Sequence, residues 1–177
     1  VQAQKVLVGI LKQLNVLGDL SMNSFFKIFD VKINPILLYG AEIWGLNVFS
    51  RLEMIHLYAC KKFLGVKMNT ANVMIYGECG RYPLYIDCYC RVIRYWIKLL
   101  HMPSYRLPRI CYNMMLLYDE NGHRNWVTGV KQLLFSIGFG NIWQEQSTVD
   151  VDFMQPFKQR IKDIYLQTWH SNIRTEE

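Results

Sequence analysis

Apolar residues recur along this chain at steps of three and four, the spacing of one face of an α-helix. The pattern runs from Val6, Leu7, Ile10, Leu11 and Leu14 near the start to Phe157, Ile161 and Ile164 near the end. No stretch alternates with the period of two that marks a half-buried strand. The first segment reads as a helix stopped by Gly18. Ser21 stands where its hydroxyl can accept a free amide of a second helix, which carries Phe25, Phe26, Ile28, Phe29 and Ile33.

"INPILLYGAEIWG", Ile33 to Gly45, then combines aliphatics with helix-weakening residues. Asn34 is a good cap, and Pro35 falls at a first-turn position where its missing N–H costs little. One helix is expected here, started by Asn34-Pro35 and ended by Gly45. Apolar on nearly all sides, it should be buried at the centre of the fold. Gly40 would lie mid-helix as a notch for a neighbouring backbone. Its only charge, Glu42, is expected to pair with Arg81 or another basic group, because an unpaired buried charge is costly.

"RLEMIHLYACKKFLGV" predicts the next helix, with Leu52, Ile55, Ala59 and Phe63 on one face. A short helix that Thr70 could cap follows. Pro83 opens the clearest element, "PLYIDCYCRVIRYWIKLLHM", which resolves into three parallel stripes. Ile86, Cys90, Ile93, Ile97 and Leu100 form one, and Tyr85, Tyr89, Val92, Trp96 and Leu99 the next. Asp87, Arg91, Arg94, Lys98 and His101 form the third. Beyond "MPSYRLP" come "RICYNMMLLYDENG", a helix that Asn125 caps, a turn at Asn141 with Trp143, and a last amphipathic helix. The expected fold is all-α: an irregular, orthogonally packed domain of about seven to nine helices with no significant sheet. Its soft boundaries divide the chain into 1–66, 67–104 and 105–177.

Composition agrees with a folded domain: 51% of residues are hydrophobic and 19% charged, with eleven Tyr, nine Phe and five Trp. No apolar run reaches the roughly 18 residues of a spanning helix, so no membrane partner is expected. The start has neither Met nor a small-residue cleavage site after an apolar block. It reads as an excerpt of a longer polypeptide rather than a secretory leader. Five cysteines without an export signal read as reduced thiols.

Charge is uneven. Residues 1–110 hold fourteen Lys/Arg against six Asp/Glu, whereas 111–177 hold six against eight. A basic body suits contact with a polyanion.

Candidate chemistry is sparse. Cys79, Cys88, Cys90 and His101 are poor zinc ligands, because Cys88 and Cys90 would point about 200° apart on a helix, away from the spacing of real sites. No G-x-S-x-G elbow or phosphate-binding glycine loop occurs. Asp150 and Asp152 read as a helix cap rather than a magnesium site. What remains is the basic array: Arg91, Arg94 and Lys98 along one edge, with Lys61, Lys62, Lys67 and Arg81 on neighbouring elements. Such arrays attract phosphates through charge and counterion release. A plain solvated face is the other reading of the same residues.

The ordered series Pro35, Tyr39, Gly40, Glu42, Trp44, then Leu64-Gly65-Val66 with Thr70 and Asn72, carries a resemblance. It continues in Tyr76, Gly77, Glu78, Gly80, Arg81, Pro83 and Leu84 and the Tyr95-Trp96 pair. Over about residues 1–140 the chain resembles the region just downstream of the reverse transcriptase palm in LINE-type (non-LTR) retrotransposon polyproteins of animals. The resemblance implies a thumb-like helical segment over 1–66 and a turn plus a basic, aromatic helix over 67–104. It implies a helical C-terminal extension over 105–177. The family's RNA-directed DNA polymerase chemistry uses palm aspartates that this sequence does not contain. The fragment is therefore expected to be no enzyme by itself and to hold no cofactor, magnesium belonging to the missing palm. The implied partners are an RNA/DNA duplex, met through its backbone, and the remainder of the polyprotein. The implied location is intracellular, in cytoplasm and nucleus. A helical packing module without nucleic-acid contact is the alternative.

Overall fold

The computed structural model describes residues 2–17, 20–47, 50–146 and 149–175. The helices are α1 (Gln2–Leu17), α2 (Met22–Lys32), α3 (Asn34–Leu37), α4 (Ala41–Trp44), α5 (Ser50–Phe63) and α6 (Asn72–Glu78). They continue with α7 (Leu84–Leu100), α8 (Leu107–Glu120), α9 (Trp126–Ser136), α10 (Gly140–Gln144) and α11 (Met154–Thr175). A 3₁₀ turn, Val151–Phe153, precedes the last helix. No strand occurs among the described residues, so the fold is all-α, as the periodicity predicts.

The contacts divide the chain into two units, Val1–Tyr39 with Phe49–Leu84, and Gly40–Val48 with Tyr85–Glu177. These cut the chain elsewhere than the expected boundaries after 66 and 104.

In the first unit α2 supplies an aromatic core. Phe25 stacks on Phe63 of α5 with ring centroids 4.9 Å apart, and meets Phe26 edge-on at 5.1 Å. Ala3 and Leu7 of α1 are buried as the helical spacing requires; Gly18, the expected stop, lies outside the described residues. Ser21 caps α2 as expected, its Oγ accepting from the Ser24 amide at 3.2 Å. Thr70 does not cap α6. That position falls to Ala71, which offers no side-chain acceptor.

The single buried helix expected over 34–45 is two helices of one turn each. α2 continues to Lys32, and Ile33 ends it while beginning α3. The Asn34 side chain therefore caps nothing; its Nδ2 donates to Asp30 Oδ1 at 2.8 Å, one turn back. Pro35 does sit in the first turn of α3. Gly40 then adopts φ +69°, a left-handed conformation that ends any continuous helix and that residues with a Cβ pay to enter. Turning the chain there brings Tyr39 to 85% exposure and leaves Ile43 exposed as well. The buried-rod expectation is corrected accordingly: only Leu37, Leu38, Ala41 and Gly45 are buried in this stretch besides Ile33 and Asn34. The close approach assigned to Gly40 belongs to Gly45, where a Cβ would lie 3.1 Å from Cys88 Cβ of α7.

In the second unit α7 is the central buried element. Val92, Ile93 and Trp96 are fully buried, each worth about 1.5–3 kcal/mol relative to exposure. Trp96 stacks on Trp143 of α10 and donates through Nε1 to the Tyr112 hydroxyl of α8 at 3.0 Å. That hydroxyl in turn donates to Gln146 at 2.7 Å. Asn125 caps α9 as expected, accepting from Val127 N at 2.8 Å, while its own amide donates to Thr128 Oγ1 at 3.0 Å. The cap of α10 is Phe139, with Asn141 inside the helix.

Candidate nucleic-acid interface

The third stripe of α7 reaches solvent because the other two are occupied by packing. Arg91, Arg94 and Lys98 are all exposed, and no ion pair holds them among the described residues. They line a shallow cavity of about 240 Å³ together with Glu42 and Tyr95. Trp126 fixes the walls: its Nε1 donates to the Glu42 carbonyl at 3.1 Å, and its ring meets Tyr95 edge-on at 6.0 Å. α4, α7 and α9 are thereby joined at one place. Arg94 and Lys98 also line a larger cleft of about 590 Å³, which adds Arg106 and the apolar Ile97, Met102 and Met154.

The remaining predicted cations belong to the first unit and divide by their partners. Lys61 is buried, and its Nζ donates to the Met68 carbonyl at 2.7 Å. It closes the loop after α5, so its ammonium is directed inward rather than left exposed as the sequence pattern expects. Arg81 donates from Nη1 and Nη2 to the two oxygens of Asp30, at 2.8 and 2.5 Å. It also lies over the Phe26 ring at 4.9 Å. Its carboxylate partner is thus Asp30, not Glu42, whose neighbours are the α7 cations. Lys62 and Lys67 are exposed, Lys62 sitting over Tyr58 at 5.7 Å.

Several residues of the ordered series have structural work. The Leu64-Gly65-Val66 turn ends α5, with the amide of Val66 donating to the Lys61 carbonyl at 3.1 Å. Gly80 ends α6 in the same way: at φ +58° it lets the Arg81 amide donate to the Tyr76 carbonyl at 3.0 Å. That turn aims the Arg81 side chain at α2. The Tyr76 hydroxyl donates to Glu53 of α5 at 2.6 Å. Between these ties lies His56, fully buried, stacked on Phe29 at 5.3 Å and accepting at Nε2 from Arg81 Nε at 3.5 Å. Pattern reading missed His56 and Asp30, because each matters through partners remote in sequence.

It also missed Lys158 and Lys162 of α11, whose charges, with that of Arg94, reach Cys90. Burial outweighs them and pushes the Cys90 thiol up to about 11. Burial likewise raises Cys60 and Cys79, which hydrogen-bond to each other. Four cysteines are buried, as small core residues would be, and Cys111 is exposed. Asp150 accepts from the Val151 amide at 2.6 Å and caps the 3₁₀ turn. Among the described residues no three His, Cys, Asp or Glu side chains gather where they could hold a metal ion. No described helix is long and apolar enough to cross a membrane.

No protein-family model, curated protein or solved structure matches the chain.

Proposed function

We propose that this chain is a non-catalytic, nucleic-acid-gripping portion of a LINE-type retrotransposon reverse transcriptase. It corresponds to the thumb and the helical region beyond, and it supports a palm that lies outside this sequence. The observation that carries the gripping role is the α7 edge, where Arg91, Arg94 and Lys98 stand exposed beside Tyr95 and enter no ion pair among the described residues. Three cations in a row suit the backbone of an RNA–DNA hybrid, whose phosphates present charge without sequence. Lys62 and Lys67 add exposed charge on the first unit. Polymerisation and its magnesium fall to the palm, so the chain alone extends no primer.

A salt titration of hybrid binding tests this reading. Three phosphate contacts give a log–log slope of about −3. The triple variant Arg91→Glu, Arg94→Glu, Lys98→Glu abolishes binding, while Lys61→Gln leaves the slope unchanged. Absence of binding at low salt, or binding indifferent to the triple variant, overturns it.

The second reading, a packing module without nucleic-acid contact, draws on a different observation. One face of α8 presents large apolar side chains to solvent.

A further inference from the structure

We infer that the exposed face of α8 is a self-association surface, on which a second copy of this chain docks with its α8 antiparallel. This does not rest on the nucleic-acid reading and uses none of the α7 cations, although its Arg106 also lines the larger cleft beside Arg94 and Lys98.

α8 is committed on one side. Tyr112 is fully buried under Trp96, and the Met115 carbonyl accepts from Asn125 Nδ2 at 2.8 Å. Asp119 accepts from Thr128 and Lys131. The opposite side carries Leu107, Ile110, Met114, Leu117 and Tyr118, which are between 41% and 71% exposed. Their steps of three and four make a continuous seam of the kind that buries itself against a second helix. Isolated exposed apolar residues need no explanation, but five in register on one helix form a patch.

The edge of the seam decides what covers it. Arg106, Asn113 and Glu120 follow one another at intervals of seven, so they lie on the same edge. All three are exposed, and Arg106 and Glu120 enter no ion pair among the described residues. The edge is therefore basic at one end, neutral in the middle and acidic at the other. A twofold axis perpendicular to two antiparallel helices brings this edge of one copy against the same edge of the other, with its direction reversed. Arg106 then faces Glu120 of the second copy, Asn113 faces its own equivalent, and the charge pair occurs twice. Parallel docking would instead set this edge against the opposite edge of the seam, where Cys111 and Tyr118 stand, and neither Arg106 nor Glu120 would meet an opposite charge. The sign pattern selects the antiparallel pair, and the isologous contact is one that closed dimers use.

Sedimentation equilibrium of the full chain across a concentration series tests the inference, with circular-dichroism melting to show that each variant folds. The wild type is expected to dimerise reversibly, and Met114→Asp with Leu117→Asp to be monomeric while still unfolding in a cooperative transition whose midpoint does not vary with concentration. Arg106→Glu is expected to weaken the dimer about tenfold, since both charge pairs become repulsive. Adding Glu120→Arg to Arg106→Glu restores the charge pattern in reverse and should return the affinity to within about threefold of wild type. A wild type that stays monomeric to millimolar concentration overturns the proposal. So does a dimer that survives the seam variant, or a charge reversal that the second change fails to rescue.

Discussion

Arg81 and Asp30, 51 positions apart, face one another through two parallel hydrogen bonds of 2.8 and 2.5 Å. The pair ties the turn after α6 to α2, with the guanidinium spread over Phe26 and its Nε directed at His56. Lysine cannot reproduce that fork. Arg81→Lys is expected to lower the unfolding free energy by about 1–2 kcal/mol, read from urea denaturation. Hybrid binding through α7 should be untouched. An unchanged denaturation midpoint with weakened binding would restore Arg81 to the interface.

Gly40 gives a test by sign. If the chain ran as one helix through 34–45, Gly40→Ala would stabilise by about 1 kcal/mol. With φ at +69° the same change is expected to destabilise by about 1–2 kcal/mol. Thermal or urea unfolding of the single variant separates the two.

Thiol chemistry should be selective. Cys111 is exposed, whereas Cys60, Cys79, Cys88 and Cys90 are buried, Cys90 with its thiol at about 11. Ellman's reagent at pH 8 is expected to modify one of the five cysteines rapidly, with the others released only on unfolding. Cys111→Ser should abolish the fast phase.

Acid sensitivity has a named source. The Thr128 hydroxyl, then Lys131, hold the Asp119 carboxyl below its ordinary range. A carboxyl depressed in the folded state stabilises fully above its unfolded value, about 3.9, and that contribution is lost as pH falls through the lower folded value. The stability gap between wild type and Thr128→Val should therefore be flat near neutrality and shrink on acidification through that window. A gap that does not vary with pH would assign Thr128 wholly to its capping bond with Asn125.

What the sequence discloses here depends on the range of the cause. The three stripes of α7 are local geometry, and the burial of the two apolar ones and exposure of the charged one follow from spacing alone. Ser21 and Asn125 cap because an acceptor beside a first turn needs nothing distant. Lys61 and Lys62 look alike in sequence, yet one step of about 100° around α5 buries the first against the Met68 carbonyl and exposes the second. Gly40 could have continued a helix or ended it, and its apolar neighbours suit both. Arg81 resembles a free cation until α2 supplies Asp30. The α8 seam shows in the spacing of Leu107, Ile110, Met114 and Leu117, but only the fold shows that this side is left uncovered.

The assignment of Gly40–Val48 to the same unit as Tyr85–Glu177 interleaves the two units at the level of the gene. No single cut in the coding sequence yields the second unit whole, since a break near residue 84 separates Glu42 from Trp126 and Gly45 from Cys88. Recombination or truncation at that point keeps the residues of the first unit together and deprives the second of its segment 40–48.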